Sequence, residues 1–158
     1  MAKTLQSGET PGLASRRASL DLLRLARAGR SLDEALAACR SFNALKGPDR
    51  SFARALASTV LRRRGTLDHV IGPYLNRPLP ARSAAVMDIL RLAGAQVLLM
   101  GTPAHAAVST ATSLAGEKRE TAGYRGLVNA IARKLASAGP EAIAKLPARI
   151  DTPGWLWR

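Results

Sequence analysis

The side chains with most chemistry to offer in this 158-residue chain are its arginines, which make up 19 of the 24 basic residues. A planar guanidinium grips phosphate through two parallel N–H bonds and stacks on bases, so an acidic polymer is the partner this composition favours. A coding bias toward Ala and Arg, with Arg merely solubilising helix surfaces, gives the same composition, and composition alone leaves both open. Position says more. Arg16, Arg17, Arg24, Arg27 and Arg30 lie on and just beyond a first predicted helix, while Arg50, Arg54 and the run Arg62-Arg63-Arg64 edge a third. Residues 1–64 carry 13 basic and 5 acidic side chains (+8) and residues 65–158 carry 11 and 6 (+5), giving the net +13. If the two helices pack side by side, their outer faces make one basic surface; the alternative is two solvated amphipathic faces. Only Phe42 and Phe52 stand nearby for base stacking, and Phe52 reads as core, so binding there would lean on phosphates and shape.

Other chemistry has little support. The sequence holds neither G-x-G-x-x-G nor G-x-x-x-x-G-K followed by Ser or Thr, so nucleotide chemistry on a phosphate loop is disfavoured. Cys39 stands alone, which excludes a disulfide or a cysteine zinc site within one chain, and beside Ala35 and Leu36 it reads as a buried, inert thiol. His69 and His105 fall on different predicted helices without paired carboxylates, and Ser109, Thr110, Thr112 and Ser113 have no local base. No catalytic residue, metal or cofactor is therefore expected in this chain.

The elements that must position the arginines are helices. Alanine occurs thirty times and no short run alternates apolar with polar residues between turn signals. At this length a single domain buries roughly 70% of the surface its unfolded chain exposes. A first helix is predicted from Pro11 to Ala28, stopped by Gly29. Ser31-Leu32-Asp33-Glu34 has the form of a capping box opening a second, short helix to about Arg40. Ser41 to Asp49 reads as a turn, followed by a third helix on Phe52, Leu56 and Val60 that ends at Gly65. Thr66 is placed to cap a fourth through Tyr74. The fifth runs from Ala81 or Arg82 to Met100. Its stretch Ala84 to Met100 carries Asp88, Arg91 and Gln96 and falls short of the ~20 apolar residues of a membrane span, so it reads as a core helix. Gly101-Thr102-Pro103 starts a sixth to about Ala115, Gly116 to Gly123 forms a charged loop, and a seventh spans Tyr124 to Ala138. Glu141 to Arg158 reads as a short helix and an extended tail, whose Trp155 and Trp157 either pack back on the bundle or belong to a junction. Met1 to Thr10 lacks the apolar core of a secretory signal, and a cytoplasmic protein with no membrane partner is expected.

The order of segments is more specific than the charge. Ser15-Arg16-Arg17-Ala18-Ser19-Leu20-Asp21-Leu22-Leu23, Ile89-Leu90-Arg91-Leu92-Ala93-Gly94-Ala95-Gln96-Val97-Leu98, Pro103-Ala104-His105-Ala106-Ala107-Val108 and Gly126-Leu127-Val128-Asn129-Ala130-Ile131 resemble, in order and spacing, the NusB family of helical RNA-binding domains over residues 13 to 135. Three features resemble most the N-terminal domain of the RsmB (Sun or Fmu) type 16S rRNA cytosine-C5 methyltransferases. These are Asp49 to Arg54 together with Leu61 to Asp68, the Pro-Ala-His-Ala-Ala-Val stretch, and the ending Thr152-Pro153-Gly154-Trp155-Leu156-Trp157.

The resemblance implies an all-α fold of two antiparallel three-helix bundles, with about seven helices. It divides the chain into a flexible N-terminus (1–10), an RNA-binding helical domain (11–139) and a segment connecting to a methyltransferase domain in cis (140–158). That catalytic part would hold S-adenosylmethionine, and this chain would be its non-catalytic, 16S rRNA-targeting module. Alternatives are a free-standing transcription antitermination factor that binds leader RNA with a ribosomal protein, and a helical protein-interaction module. Of the family's RNA contacts, only Arg16 and Arg17 carry over; Arg24, Arg27, Arg50, Arg54, Arg62, Arg63 and Arg64 rest on the charge argument. His105 and Asn129 match recurring family positions, where helix-to-helix hydrogen bonding is the expected role.

Overall fold

A computed structural model describes residues 10–157, the side chain of Trp157 excepted. The segment 1–9 expected to be flexible, the Trp157 side chain and Arg158 lie outside the described residues. Those residues form α1 (Leu13–Arg27), α2 (Leu32–Ala38), α3 (Arg40–Asn43), α4 (Gly47–Arg62), α5 (Arg64–Ile71), α6 (Ala84–Leu99), α7 (Ala104–Glu117), α8 (Arg119–Ala122) and α9 (Arg125–Ala138), joined by short 3-10 turns, with no strand among them. Seven of the nine are seven residues or longer, in agreement with the all-helical expectation. None is long and apolar enough to cross a membrane.

The apolar periodicity sorts these helices into two buried clusters. Ala18 and Leu22 of α1, Ala35, Cys39 and Phe42 around α2 and α3, and Ala53 and Ala57 of α4 close the smaller one. The larger gathers Leu67 and Ile71 of α5, Ile89, Leu90 and Leu92 of α6, Leu114 of α7 and Ile131 and Leu135 of α9, together with Leu56 and Val60 from α4. α6 is the shared axis: ten of its residues are buried, and each large aliphatic among them stabilises the fold by about 2 kcal/mol relative to exposure. Its Gly94 lets α5 come close, with Leu67 Cδ2 only 3.2 Å from where a Cβ would stand.

Local signals explain most ends. Gly29 takes φ +101° after α1, where its N–H donates to Ala26 O and that of Arg30 reaches Leu25 O, closing the last turn. Ser31 accepts from the Glu34 backbone N–H while the Glu34 carboxylate takes the Ser31 N–H, the predicted capping box. Ser31→Ala is expected to cost about 1 kcal/mol, measured by urea unfolding.

Several boundaries differ from the sequence reading. Gly47-Pro48 begins α4 instead of belonging to a turn, because a proline in the first helical turn forfeits no hydrogen bond. Gly65 does not end a helix: the chain bends at Arg63 (φ −111°, ψ 24°), and α5 starts with Gly65 in its first turn. Thr66, expected to cap, lies inside α5, where its amide and hydroxyl both donate to Asp151, 85 residues away. The charged loop Gly116 to Gly123 contains the turn α8, held by Thr121 Oγ1 donating to Ala115 O at 2.6 Å. Past α9, turns at Pro140–Ala142 and Ala148–Asp151 replace the expected short helix. Trp155 does not pack back: it is 72% exposed.

Candidate nucleic-acid interface

The nine arginines singled out by charge and resemblance sit on α1, on α4, at the bend at Arg63 and on the first residue of α5. α1 and α4 pack against each other, but most of the guanidinium groups on them are tied down within the molecule. Arg16 turns inward. Its Nε donates to Gln96 Oε1 at 3.0 Å and its Nη1 to Gly12 O at 3.2 Å, with the guanidinium carbon 4.6 Å from the centre of the Phe52 ring. It thereby ties α1 to α4 and α6. Burial lowers its pKa, an effect opposed by the charge of Asp49.

Arg17 points the other way and forms a fork on Glu117 at the end of α7, with Nε 3.0 Å from Oε2 and Nη2 2.6 Å from Oε1. Arg24, on the same side of α1, stands largely in solvent, 4.0 Å from Asp21. Arg27 donates to the buried Asp88 of α6. These three arginines converge on one cleft of about 200 Å³, shared with Lys118 and walled by Asp88 and Glu117.

On α4, Arg50 lies over the Phe42 ring at 4.3 Å and donates Nη1 to the Phe42 carbonyl at 3.3 Å, closing one side of a cleft of about 360 Å³ that Arg54 also lines. Arg54 is exposed and its guanidinium has no partner among the described residues, and the same holds for Arg62 two turns further on. Arg63 donates Nε to Asp151 at 2.8 Å, and Arg64 reaches Asp68 at 3.9 Å. Arg24, Arg54 and Arg62 are thus the members of the set with most hydrogen-bonding capacity left. A paired arginine keeps some, since a carboxylate engages two or three of its five N–H groups.

Three residues absent from the set, Asp68, Asp88 and Arg91, organise it. Arg91 of α6 donates Nε and Nη2 to Asp68 at 2.7 and 3.1 Å and Nη1 to Asp88 at 2.9 Å. Signs therefore alternate through Arg27, Asp88, Arg91, Asp68 and Arg64, joining α1, α6 and α5. The signal lay in the sequence as an Asp and an Arg three apart, one helical step, inside an otherwise apolar helix.

His105 and Asn129 both line a groove between α7 and α9, with a volume of about 690 Å³. The expected helix-to-helix bonding is slight. Thr112 Oγ1 donates to Val108 O at 2.9 Å and stands 3.5 Å from Asn129 Oδ1, so its single hydrogen goes to the backbone. His105 makes no hydrogen bond among the described residues. Cys39 is buried, its Sγ 3.3 Å from Ser41 Oγ, which donates to Asp21 at 2.6 Å.

Comparison with known proteins agrees with this architecture. The family model described as "NusB family" matches residues 14–137. The chain is 35% identical over 149 residues to ribosomal RNA small subunit methyltransferase B of Xanthomonas campestris pv. campestris, covering 91% of this chain and 31% of that protein. It is 43% identical over 116 residues to the protein of the same name from Thermus thermophilus, covering 70% and 26%. A putative methyltransferase of Mycobacterium tuberculosis is 36% identical over 123 residues, covering 77% and 27%. The chain thus spans less than a third of the length of these relatives. No solved structure gives a significant match. An all-helical bundle whose family match runs from the first turn of α1 to the last of α9, in relatives of which it covers under a third, identifies the chain as a member of the NusB family, matching the N-terminal domain of small-subunit rRNA methyltransferases.

Proposed function

We propose that this chain is the non-catalytic, RNA-binding module of an rRNA methyltransferase, delivering 16S rRNA to a catalytic domain that it does not itself contain. The observation that carries this reading is the 35% identity to a small-subunit rRNA methyltransferase over 91% of the chain. The net charge of +13 supports a polyanionic partner. On this reading residues 11–139 bind RNA, residues 140–158 lead toward the catalytic domain, S-adenosylmethionine belongs to that domain, and the work is done in the cytoplasm.

Phosphate contact falls first to the arginines with most free capacity, Arg24, Arg54 and Arg62, with Lys118 beside the α1 cleft. Arg27, Arg50 and Arg64 contribute their remaining N–H groups, and Arg16, Arg17 and Arg63 hold the helices that carry the others.

The test is a titration of a 16S rRNA fragment at several salt concentrations. Arg54→Ala/Arg62→Ala is expected to weaken binding with unchanged Tm and to make the log-log salt slope shallower by about 1.4, that is about 0.7 for each lost phosphate contact on single-stranded RNA. Arg16→Ala/Arg17→Ala is expected to lower Tm. Loss of affinity in that pair at wild-type Tm would instead place these two at the RNA. Wild-type chain that fails to bind the fragment even at low salt would end the RNA-binding reading.

A further inference from the structure

We propose that the groove between α7 and α9 is a pocket for one nucleotide of a single-stranded RNA, taking its base edge and ribose on Asn129 and the neighbouring hydroxyls and its phosphate on Arg133. This rests on the RNA-binding reading above and extends it to a face of the molecule that the basic helices α1 and α4 do not reach. The groove has a volume of about 690 Å³, within the range of small-ligand sites. Its lining differs in kind from the arginine clefts. Around α1 and α4, carboxylates or aromatic rings already engage most of the guanidinium groups. Here His105, Asn129 and Arg133 converge with no acidic residue in the lining. Among the described residues, exposed Arg133 engages no carboxylate, His105 makes no hydrogen bond, and the Asn129 amide NH₂ has no acceptor. The Thr112 hydroxyl hydrogen is taken by Val108 O, which leaves its oxygen lone pair facing the groove as an acceptor.

The mixture of donors and acceptors decides the class of occupant. A peptide rich in carboxylates needs several cations to offset its charge. This one holds a single permanent cation, enough for one phosphate. Beside it, Asn129 can donate from its NH₂ and accept on Oδ1, as a base edge requires, and Ser109 and Thr112 offer oxygens to a 2′-hydroxyl. Val108 and the small alanines make an apolar floor for the flat face of a base. No Phe, Tyr or Trp lines the groove, so stacking would fall to the His105 ring or the Arg133 guanidinium plane, and edge hydrogen bonding would carry most of the recognition.

The experiment uses the full chain and a 12-nucleotide mixed-sequence single-stranded RNA labelled at its 5′ end. Fluorescence anisotropy gives affinity, and the His105 ring proton resonances report on the groove. The wild type is expected to bind the RNA and to shift the His105 resonances. Arg133→Gln is expected to weaken binding about tenfold, the size of one lost charge-assisted hydrogen bond, and Asn129→Ala severalfold, both with unchanged thermal unfolding. Arg54→Ala/Arg62→Ala is expected to weaken binding while leaving the His105 shift at saturation intact. RNA binding by the wild type with no change at His105 and no loss in the groove variants would overturn the pocket and leave the RNA-binding reading standing. A His105 shift produced by a polyglutamate peptide and not by the RNA would overturn it in favour of a protein partner. Absence of RNA binding altogether would remove both readings.

Discussion

Arg91→Ala is expected to lower the unfolding free energy by about 3 kcal/mol and Tm by roughly 10 °C. The side chain is 11% exposed and serves two carboxylates at once, Asp68 on α5 and Asp88 one turn earlier on α6. Asp88 is itself only 7% exposed and takes a second partner from α1, Arg27. Burial works to lower the Arg91 pKa, but the hydrogen bonds and charges of Asp68 and Asp88 outweigh it and hold the group above its ordinary value. It stays charged wherever the fold survives. Deleting it leaves Asp88 buried with one cation in place of two, and Asp68 with only the longer contact to Arg64. A stranded buried charge costs more than the pair contributes, so the two single losses should not add. Asp88→Ala/Arg91→Ala is expected to lose clearly less than the sum of its singles in a double-mutant cycle by chemical denaturation. Arg91→Ala within about 0.5 kcal/mol of wild type would show that the alternating charges do not hold α5 and α6 together.

The same network shows where sequence reasoning reaches and where it stops. Helix identity was legible, because Phe52, Leu56 and Val60 recur every four positions and Ser31 with Glu34 marks where a helix begins. What depends on the partner of a side chain was not. Arg16 and Arg17 are adjacent, so about 100° apart around α1, and the same residue type serves opposite ends: one is pulled inward to Gln96 and Phe52, the other outward to Glu117. Nothing in the local pattern gives residue 117 or 96 as a partner, since these contacts join residues 80 to 100 positions apart. Gly47-Pro48 and Gly65 were misread for a related reason. Each is a turn signal locally, and each is compatible with a helix once the first-turn position or the neighbouring segment is known. The groove carrying His105 and Asn129 was visible only as two recurring positions; that its one cross-helix contact is the long one between Thr112 and Asn129 among the described residues is a property of the packed helices.

Gly65→Ala tests the least local of these contacts, and its sign is diagnostic. In an ordinary helical position this exchange is favourable by about 1 kcal/mol, because alanine has the better helix propensity. Here it is expected to cost about 2 kcal/mol instead. A methyl group at position 65 would overlap the carbonyl oxygen of Ile150, stand 2.8 Å from its carbonyl carbon and 3.2 Å from Asp151 Oδ1. Backbone cannot yield as the tip of a flexible side chain can, so the turn Ala148–Asp151 must lift away from α5. With it goes the Asp151 carboxylate, which accepts from the Thr66 amide and hydroxyl at 2.6 Å each and from Arg63 Nε at 2.8 Å. Those bonds stand in for the cap that α5 lacks at its own N-terminus. Asp151→Ala is expected to cost a similar amount, and the double substitution little more than either alone, because both release one segment. Hydrogen exchange should show the protection of the Thr66 and Ile150 amides lost together in each variant. A stabilised Gly65→Ala protein would mean that the segment does not dock on α5. Docking matters for the proposed function because three residues separate Asp151 from the exposed Trp155: wherever residues 152–158 lead, α5 fixes their point of departure from the bundle.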